Sequence, residues 1–170
     1  NIHVLSFLYQ GKRFITTTNV PIHKPEDLKG LKLRTPDQVL SIANFSAYGA
    51  SATPMAFSEV YLALQQNVVD GQENPLSQIV AANFAEVQKY ISLTGHVVQS
   101  TSMCINKDVL ANLPQQLQDI LIQQAYEGQF VANQSMEDWE TDTLTELSQL
   151  WMTIVEPHVK AFQKILCYQL

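Results

Sequence analysis

The apolar residues of the chain follow two spacings in turn, the two-residue period of strands and the 3.6-residue period of helices. Runs of β-branched and aromatic residues at residues 2–9 and 13–18 predict two strands, or one strand kinked at Gln10-Gly11. Residues 90–105 alternate poorly and are broken by Gly95, which predicts two strands in different sheets. Two further short strands are predicted at residues 31–34 and 152–155.

Helical spacing and helix-end signals predict helices between these strands. Asp37 is placed to cap a helix that runs to Tyr48, with Val39 facing inward. Residues 115–151 contain no proline and one glycine, Gly128, so they predict either one very long helix or two helices that part there. Shorter helices are predicted at residues 25–30, 76–87, 106–113 and 157–166.

The segment TPMAFSEVYLALQQNVVDGQENP, residues 53–75, predicts a strand, a helix, a second strand and the start of another helix. Ser58 is the expected N-cap of the first helix, and Asn74 with Pro75 is the expected start of the second. The two chain crossings converge around Phe57 and Asn74, an arrangement that forms the wall of a pocket. Helices that alternate with short strands indicate an α/β fold with mainly parallel strand pairing.

The composition is that of a globular protein and argues against several partners. With 170 residues, of which 46% are hydrophobic and 15% charged, the chain can bury a sizeable core. The net charge is −6, and the ten scattered Lys and Arg residues argue against nucleic acid as a partner. The sequence shows neither a stretch suited to membrane insertion nor a signal-peptide pattern. Cys104 and Cys167 have no metal-ligand spacing, so one disulfide and two thiols are equally open.

Two motifs resemble those of a known family. The runs PMAFSEVYLALQ and VDGQENP, within residues 53–75, resemble the signature segment of the solute-binding proteins of TRAP (tripartite ATP-independent periplasmic) transporters. The run LKLRTP, residues 31–36, matches the family pattern L-K-[IL]-R-x-P. The resemblance covers nearly all of the chain, but only the second half of a typical member. It implies a periplasmic-binding-protein-like clamshell of two lobes with one long bridging helix, whose first lobe is incomplete in this chain.

The resemblance divides the chain between the lobes and implies how it works. Residues 11–99 and 140–170 are assigned to lobe two, and residues 1–10 and 100–139 to lobe one. A member of this family is an extracytoplasmic solute-binding protein, located in the periplasm, that is not an enzyme and needs no cofactor or metal. It captures a small organic carboxylate, such as sialic acid, a C4-dicarboxylate or a sugar acid, by domain closure. It then delivers this ligand to the permease in the membrane.

Arg34 is the first candidate for the ligand site. It ends a predicted strand, where α/β sheets usually bind ligands, and a guanidinium can hold a carboxylate through two parallel hydrogen bonds. The residues alone leave a surface arginine paired with Asp37 or Glu26 as the alternative. In the family, the arginine of the L-K-[IL]-R-x-P pattern is the principal anchor of the substrate carboxylate, so the resemblance implies that role for Arg34.

Four further residues are candidates for the ligand site. Asn74, by itself a helix cap, corresponds to the asparagine of E-N-P, which donates to the ligand carboxylate in the family. Phe57, by default a core aromatic, corresponds to a residue that packs against the carbon skeleton of the substrate. Arg13 stands where some branches place a second ligand arginine, although its spacing to Arg34 is one residue longer. Asp37 either caps its helix facing away or indicates a ligand with a hydroxyl or amine group, because two carboxylates repel each other.

Two other classes of function are alternative hypotheses. A small-molecule enzyme could use Glu73 or Asp70 as a base, because acids close in sequence can perform acid and base chemistry. Against it, Asp70 lies in an Asp-Gly turn, no histidine has metal-ligand spacing and no catalytic motif is present. The other alternative is a truncated chain that binds nothing and self-associates through the exposed edge of lobe one.

Overall fold

The computed structural model describes residues 1–149 and 152–167, with side chains up to Ile165. This part of the chain forms strands β1 (Ile2–Thr17), β2 (Lys32–Thr35), β3 (Ser51–Pro54), β4 (Gly71–Pro75), β5 (Tyr90–Ser92), β6 (Val98–Asn106) and β7 (Thr153–Val155). Its α-helices are α1 (Val39–Ala47), α2 (Val60–Gln65), α3 (Leu76–Ala81), α4 (Lys107–Ala111), α5 (Gln115–Gln149) and α6 (Val159–Cys167). Short 3-10 turns lie at Pro25–Leu28, Phe57–Glu59 and Phe84–Glu86.

The first two predicted strands are a single strand, β1, which is kinked at Gly11. The φ angle of Gly11 is +102°, and the pairing register shifts between Tyr9 and Gly11. β1 pairs with β6 from Ile2 to Lys12, and from Arg13 onward it pairs with β4 and β5. This φ angle favours glycine, and a Cβ atom on Gly11 would displace the Glu140 carboxylate, whose Oε1 lies 2.5 Å from that position.

The main sheet has the strand order β3-β2-β4-β1-β5-β7, and β6 pairs with β1 between Ile2 and Lys12. β2 is parallel to β3 and β4, and β5 is parallel to β7. The long strand β1 is antiparallel to each of its partners. The α/β class is therefore confirmed, but the expectation of mainly parallel pairing is wrong, because β1 crosses the middle of the sheet in the opposite direction.

The main sheet separates two hydrophobic cores. Adjacent residues of β1 point to opposite faces, Phe14 into one core and Ile15 into the other. On the first face the fully buried side chains include Val60, Leu64, Leu76, Ile79, Phe84 and Ile91. On the second face they include Ile22, Leu28, Leu33, Phe45 and Phe162. Each large apolar side chain buried in this way contributes about 1.5–3 kcal/mol.

Helix α5 runs unbroken from Gln115 to Gln149, so of the two alternatives one long helix is confirmed over this range. Nothing lies within 4 Å of a Cβ atom built on Gly128, and the helix does not break there. Its side chains bond to β1 on both sides of the Gly11 kink. The pairs are Gln129 with the Phe7 amide, Asn133 with the Tyr9 amide, and Glu140 with the Lys12 amide and the Tyr9 hydroxyl. No helix in the described residues is both long and apolar enough to cross a bilayer.

The predicted start of α1 is wrong in detail. The helix begins after Gln38, which makes no side-chain cap bond, and Asp37 is exposed one residue further out. Val39 is 84% exposed, whereas Phe45 and Tyr48 carry the buried face. Asp37 was predicted as the N-cap because it directly precedes the helical pattern. In the structure the N-cap is Gln38, whose backbone is extended.

The two helix starts predicted within residues 53–75 are also displaced. A 3-10 turn precedes α2, so Ser58 is not the N-cap of that helix. Asn74 lies within β4, opposite Phe14 of β1, and Pro75 occupies the cap position of α3. Because β4 continues through Asn74, the Asn74 side chain is free of a capping role. α3 itself ends at Ala81, earlier than predicted.

The two cysteines lie far apart in the sequence, and the structure describes the side chain of one of them. Cys104 is exposed on β6. The side chain of Cys167 lies outside the described part of the chain, and so does Trp151, where the long helix was predicted to end.

Candidate functional site

A cavity of about 590 Å³ lies beside the carboxyl ends of the parallel strands β2 and β4. Four of the five predicted site residues line it, namely Arg13, Arg34, Phe57 and Asn74. Asp37 does not line the cavity, and its side chain is exposed. The structure therefore brings together residues from three strands and the turn before α2, which are up to 61 positions apart in sequence.

Arg34 is a buried cation that lines the cavity. Its side chain is held in β2, next to β3 and β4, and only 3% of the residue is exposed. Nε and Nη2 both donate to the carbonyl oxygen of Met55, at 3.0 and 2.6 Å. Within residues 1–149 and 152–167, no acceptor is bonded to the opposite edge of the guanidinium, which Nη1 and Nη2 form. That edge can hold a carboxylate through two parallel hydrogen bonds.

The surroundings of Arg34 affect its charge and its contacts. Burial lowers the pKa of the Arg34 guanidinium from its ordinary value, while the negative charge of Glu73 acts in the opposite direction. An arginine remains protonated under such conditions. The guanidinium carbon lies 5.9 Å from the centroid of the Phe57 ring, a cation–π distance. Phe57 is 41% exposed, so it is not the core residue that its type suggests.

Arg13 differs from Arg34 because its charge is already paired. Its Nε and Nη2 atoms donate to the two carboxylate oxygens of Glu73, at 2.5 and 2.8 Å. Nη2 also reaches the backbone oxygen of Glu73 and the Asn74 side-chain oxygen, and Nη1 donates to Gln99. Arg13 therefore forms a two-point ion pair inside the protein.

Glu73 connects Arg13 to a buried histidine. The residue is 1% exposed, and its Oε2 lies 3.1 Å from Nε2 of His96. Thr94 Oγ1 lies 2.8 Å from the other ring nitrogen of His96. Because a carboxylate only accepts hydrogen bonds, Nε2 of His96 is the donor in its contact with Glu73. Burial acts to raise the pKa of the Glu73 carboxyl, but the hydrogen bonds from His96 and Arg13 and the Arg13 charge outweigh it, so that this pKa is lowered.

A chain of buried amide and hydroxyl groups sets the orientation of Asn74. Asn74 Nδ2 donates to Gln72 Oε1 at 2.5 Å, and its Oδ1 accepts from Arg13 at 3.1 Å. Gln72 in turn donates to Thr16, and Thr16 to Gln88, at 2.9 and 3.1 Å. Turning the Asn74 amide over would break both of its bonds. Its second N–H remains available to an acceptor in the cavity.

The neutral polar side of the cavity comes from α1 and β6. Gln38, Ser41 and Asn44 recur every third residue and line the cavity along one face of α1 and its start. Gln99 and Ser100 line it from β6. Sequence reasoning missed these residues. The three-residue repeat of polar side chains in α1 was the available signal, because it places these side chains on one face of the helix.

Glu73 and His96 were also missed as members of the site. Glu73 was predicted only as the base of the alternative enzyme, and His96 was given no role because it has no metal-ligand spacing. Among the described residues, no group of three or more His, Cys, Asp or Glu side chains is placed to hold a metal ion. Asp70 accepts a hydrogen bond from the Lys32 amide at 2.8 Å and does not line the cavity. The arrangement is thus suited to holding an anion at Arg34.

The family model of the bacterial extracellular solute-binding proteins, family 7 (DctP), matches residues 1–166. The chain therefore belongs to this family, whose members are the periplasmic solute-binding proteins of TRAP transporters. The resemblance of the two motifs to this family is confirmed.

Particular relatives are similar over nearly the whole chain. The sialic acid-binding periplasmic protein SiaP of Vibrio cholerae is 36% identical over 164 residues, which are 96% of this chain and 51% of the relative. The solute-binding protein RD1_1052 of Roseobacter denitrificans, solved with bound L-galactonate, is 38% identical with a TM-score of 0.83, over 96% of this chain and 54% of that one. A second protein of that species, solved with bound 3-deoxy-D-manno-oct-2-ulosonic acid, is 33% identical with a TM-score of 0.90, over 99% of this chain and 56% of that one.

These matches confirm the fold and show how much of each relative the chain covers. The α/β fold with a central sheet and a long helix is that of the TRAP periplasmic solute-binding proteins. The chain spans about half the length of the relatives that it matches.

Proposed function

We propose that this protein is the solute-binding component of a TRAP transporter, which captures a small organic carboxylate in the periplasm and passes it to a membrane permease. The observation that carries the proposal is the Nη1–Nη2 edge of Arg34, which bonds no acceptor in the part of the chain that the structure describes, on a buried cation that lines the cavity. A buried charge without a partner is costly, and a ligand carboxylate supplies that partner. The sialic acid, L-galactonate and octulosonic acid named for the relatives are all carboxylates.

The other cavity residues have separate roles in this proposal. Asn74 donates its second N–H to the carboxylate that Arg34 holds. Phe57 packs against the carbon skeleton of the ligand, beside the Arg34 guanidinium. Arg13 reaches the ligand with its one remaining N–H while Glu73 keeps its charge paired. Asp37 plays no part in binding, since it lies outside the cavity lining.

The proposed mechanism is closure of two lobes around the ligand. Residues 11–99 and 140–170 are assigned to lobe two, and residues 1–10 and 100–139 to lobe one. Two features support a boundary near Gly11: β1 changes its pairing partners there, and α5 bonds to β1 on both sides of it. A ligand that contacts both lobes stabilises the closed state by its higher affinity for that state.

We infer that the protein does not catalyse a reaction on its ligand. Glu73, the acid within the cavity, is bonded to Arg13 and His96, and its lowered pKa makes it a poor base. Asp70, the other acid considered, is bonded to a backbone amide outside the cavity. Incubation of saturating protein with a bound acid should therefore return the acid unchanged.

Self-association is a second candidate, which exposed apolar side chains favour. Phe7 on β1 and Met103 on β6 are exposed on the same two-stranded ladder, as is Ile2 at its end. Apolar surface of this kind commonly marks an interface. Light scattering that gives the mass of a single chain at micromolar concentration would exclude this candidate.

Calorimetry on the intact protein tests the carboxylate site. Replacing Arg34 by Ala should weaken binding of a carboxylate ligand by about 2–5 kcal/mol, because the carboxylate loses its charged partner. Arg34→Lys should recover only part of the loss, since lysine cannot form two parallel bonds. Lys32→Ala, an exposed cation two residues away in the same strand, is the control and should change nothing. An unchanged Kd in Arg34→Ala would refute the assignment.

A further inference from the structure

A series of side-chain hydrogen bonds runs from the cavity wall into the sheet behind it. Asn74, which lines the cavity, donates to Gln72 at 2.5 Å. Gln72 donates to Thr16 at 2.9 Å, and Thr16 donates to Gln88 at 3.1 Å. Gln72, Thr16 and Gln88 lie outside the cavity lining, and each is at most 3% exposed. Because water does not reach these groups, each of them depends on its neighbours in the series for its hydrogen bonds.

The end of the series that is remote from the cavity has a fixed direction. Gln88 Nε2 donates to the Val87 carbonyl oxygen at 3.0 Å and to Thr18 Oγ1 at 2.7 Å. A backbone carbonyl only accepts hydrogen bonds, so the Gln88 amide must turn its NH2 group there and its oxygen towards Thr16. The Thr16 hydroxyl has one proton, which it donates to that oxygen. In its contact with Gln72, Thr16 can therefore only accept.

This direction is passed along the series to the cavity. Because Thr16 accepts, the Gln72 amide presents its NH2 group to Thr16 and its oxygen to Asn74. Asn74 presents its NH2 group to Gln72, and its oxygen accepts from Arg13. Without an acceptor at Gln88, the Thr16 hydroxyl could donate to Gln72, and the Gln72 amide could turn over. Two NH2 groups would then face each other, and Asn74 would lose its acceptor.

We propose that Thr16 and Gln88, which lie outside the cavity lining, are positioning residues for ligand binding, because they fix the Asn74 amide through Gln72. The inference rests on the proposed function, in which the second N–H of Asn74 donates to the ligand carboxylate. The role requires a hydroxyl group at residue 16 and a hydrogen-bond acceptor at residue 88.

Matched substitutions separate this role from the loss of any buried hydrogen bond. Thr16→Val keeps the shape of the side chain and removes its hydroxyl group, whereas Thr16→Ser keeps the hydroxyl group. Gln88→Leu removes the acceptor at the remote end. Thr17, the next residue of β1, is equally buried, and its hydroxyl group donates to the Val20 carbonyl, outside the series. Thr17→Val is therefore the control, since it also loses one buried hydrogen bond.

Calorimetry on the intact protein measures the effect on affinity. The probes are the acids named for the relatives, sialic acid, L-galactonate and 3-deoxy-D-manno-oct-2-ulosonic acid. Thr16→Val and Gln88→Leu should each weaken the tightest of them by about three- to tenfold, because binding must then restore the Asn74 orientation. Thr16→Ser and Thr17→Val should bind it within about twofold of the wild type. Added to Asn74→Ala, Thr16→Val should weaken binding no further, because the group that it positions is absent.

A second measurement needs no ligand. In the NMR spectrum of the isotope-labelled protein, the side-chain NH2 signals of Asn74 are those that disappear in Asn74→Ala. They should shift in Thr16→Val and in Gln88→Leu, although neither residue is bonded to Asn74. They should stay in place in Thr16→Ser and in Thr17→Val, which leave the series intact.

The outcomes separate this inference from the proposed function. Unchanged Asn74 signals in Thr16→Val and Gln88→Leu would overturn the inference, whether or not an acid binds. An equal loss of affinity in Thr17→Val, or a further loss when Thr16→Val is added to Asn74→Ala, would also overturn it and leave the carboxylate site in place. Failure of all of these acids to bind the wild type would count against the proposed function, and the Asn74 signals would then decide the inference alone.

Discussion

Two Gly→Ala substitutions should shift stability in opposite directions, because the two glycines stand in opposite surroundings. Gly71 begins β4, between β1 and β2, and a Cβ atom there would press into the backbone carbonyl oxygen of Thr16. It would also lie 2.9 Å from Thr17 Cγ2 and 3.2 Å from Leu33 Cδ1. The carbonyl belongs to the central ladder and has no room to move aside.

The sizes of the two effects follow from these contacts. Overpacking of a core costs about 1–3 kcal/mol, and contact with backbone places Gly71→Ala at about 3 kcal/mol. Gly128 is exposed within α5 and has nothing within 4 Å of a Cβ atom, so Gly128→Ala gains about 1 kcal/mol of helix propensity. For a chain of 170 residues, these values correspond to a fall of about 6–12 °C and a rise of about 2–4 °C in Tm.

Thermal melts of the wild type and both variants, followed by circular dichroism, measure the two shifts. Gly71→Ala should also weaken carboxylate binding, because β4 carries Glu73 and Asn74 into the cavity. A Tm within 2 °C of the wild type in Gly71→Ala would show that β4 can move away from β1. A lower Tm in Gly128→Ala would contradict a continuous α5.

Two further predictions concern the buried polar groups of the site. The lowered pKa of Glu73 means that the unfolded chain binds more protons near and below the ordinary value of 4.5, so the unfolding free energy should fall as the pH drops through this range. Urea unfolding at a series of pH values should show a smaller fall in Glu73→Gln, and an identical fall would contradict the pairing. Gln72→Leu should cost about 1–3 kcal/mol of stability, because Asn74 Nδ2 loses its acceptor. It should also weaken ligand binding, with a coupling of at least about 0.5 kcal/mol to Asn74→Ala, and strictly additive losses of affinity would show that Gln72 does not position Asn74.

The local features of the chain were largely predictable from its sequence. Apolar spacing located most strands and helices, because burial of one face is a local pattern. The motif at residues 31–36 placed Arg34 at the end of a strand, and Arg34 lines the cavity. Helix starts were less well predicted: Ser58, Asn74 and Asp37 all have the side chains of N-caps, yet none caps a helix here.

The tertiary structure alone decided which charges remain available. The motif at residues 31–36 made Arg34 the first candidate, but no residue near Arg13 in the sequence shows that the Arg13 charge is paired. The antiparallel pairing of β1 with β4 brings Glu73, 60 residues away, against Arg13, so one arginine is neutralised and the other is left for a ligand. The sequence by itself determined the family, most of the secondary-structure elements and the position of Arg34 at the end of a strand. Which cation can bind depends on strand register, and register is a property of partners distant in the chain.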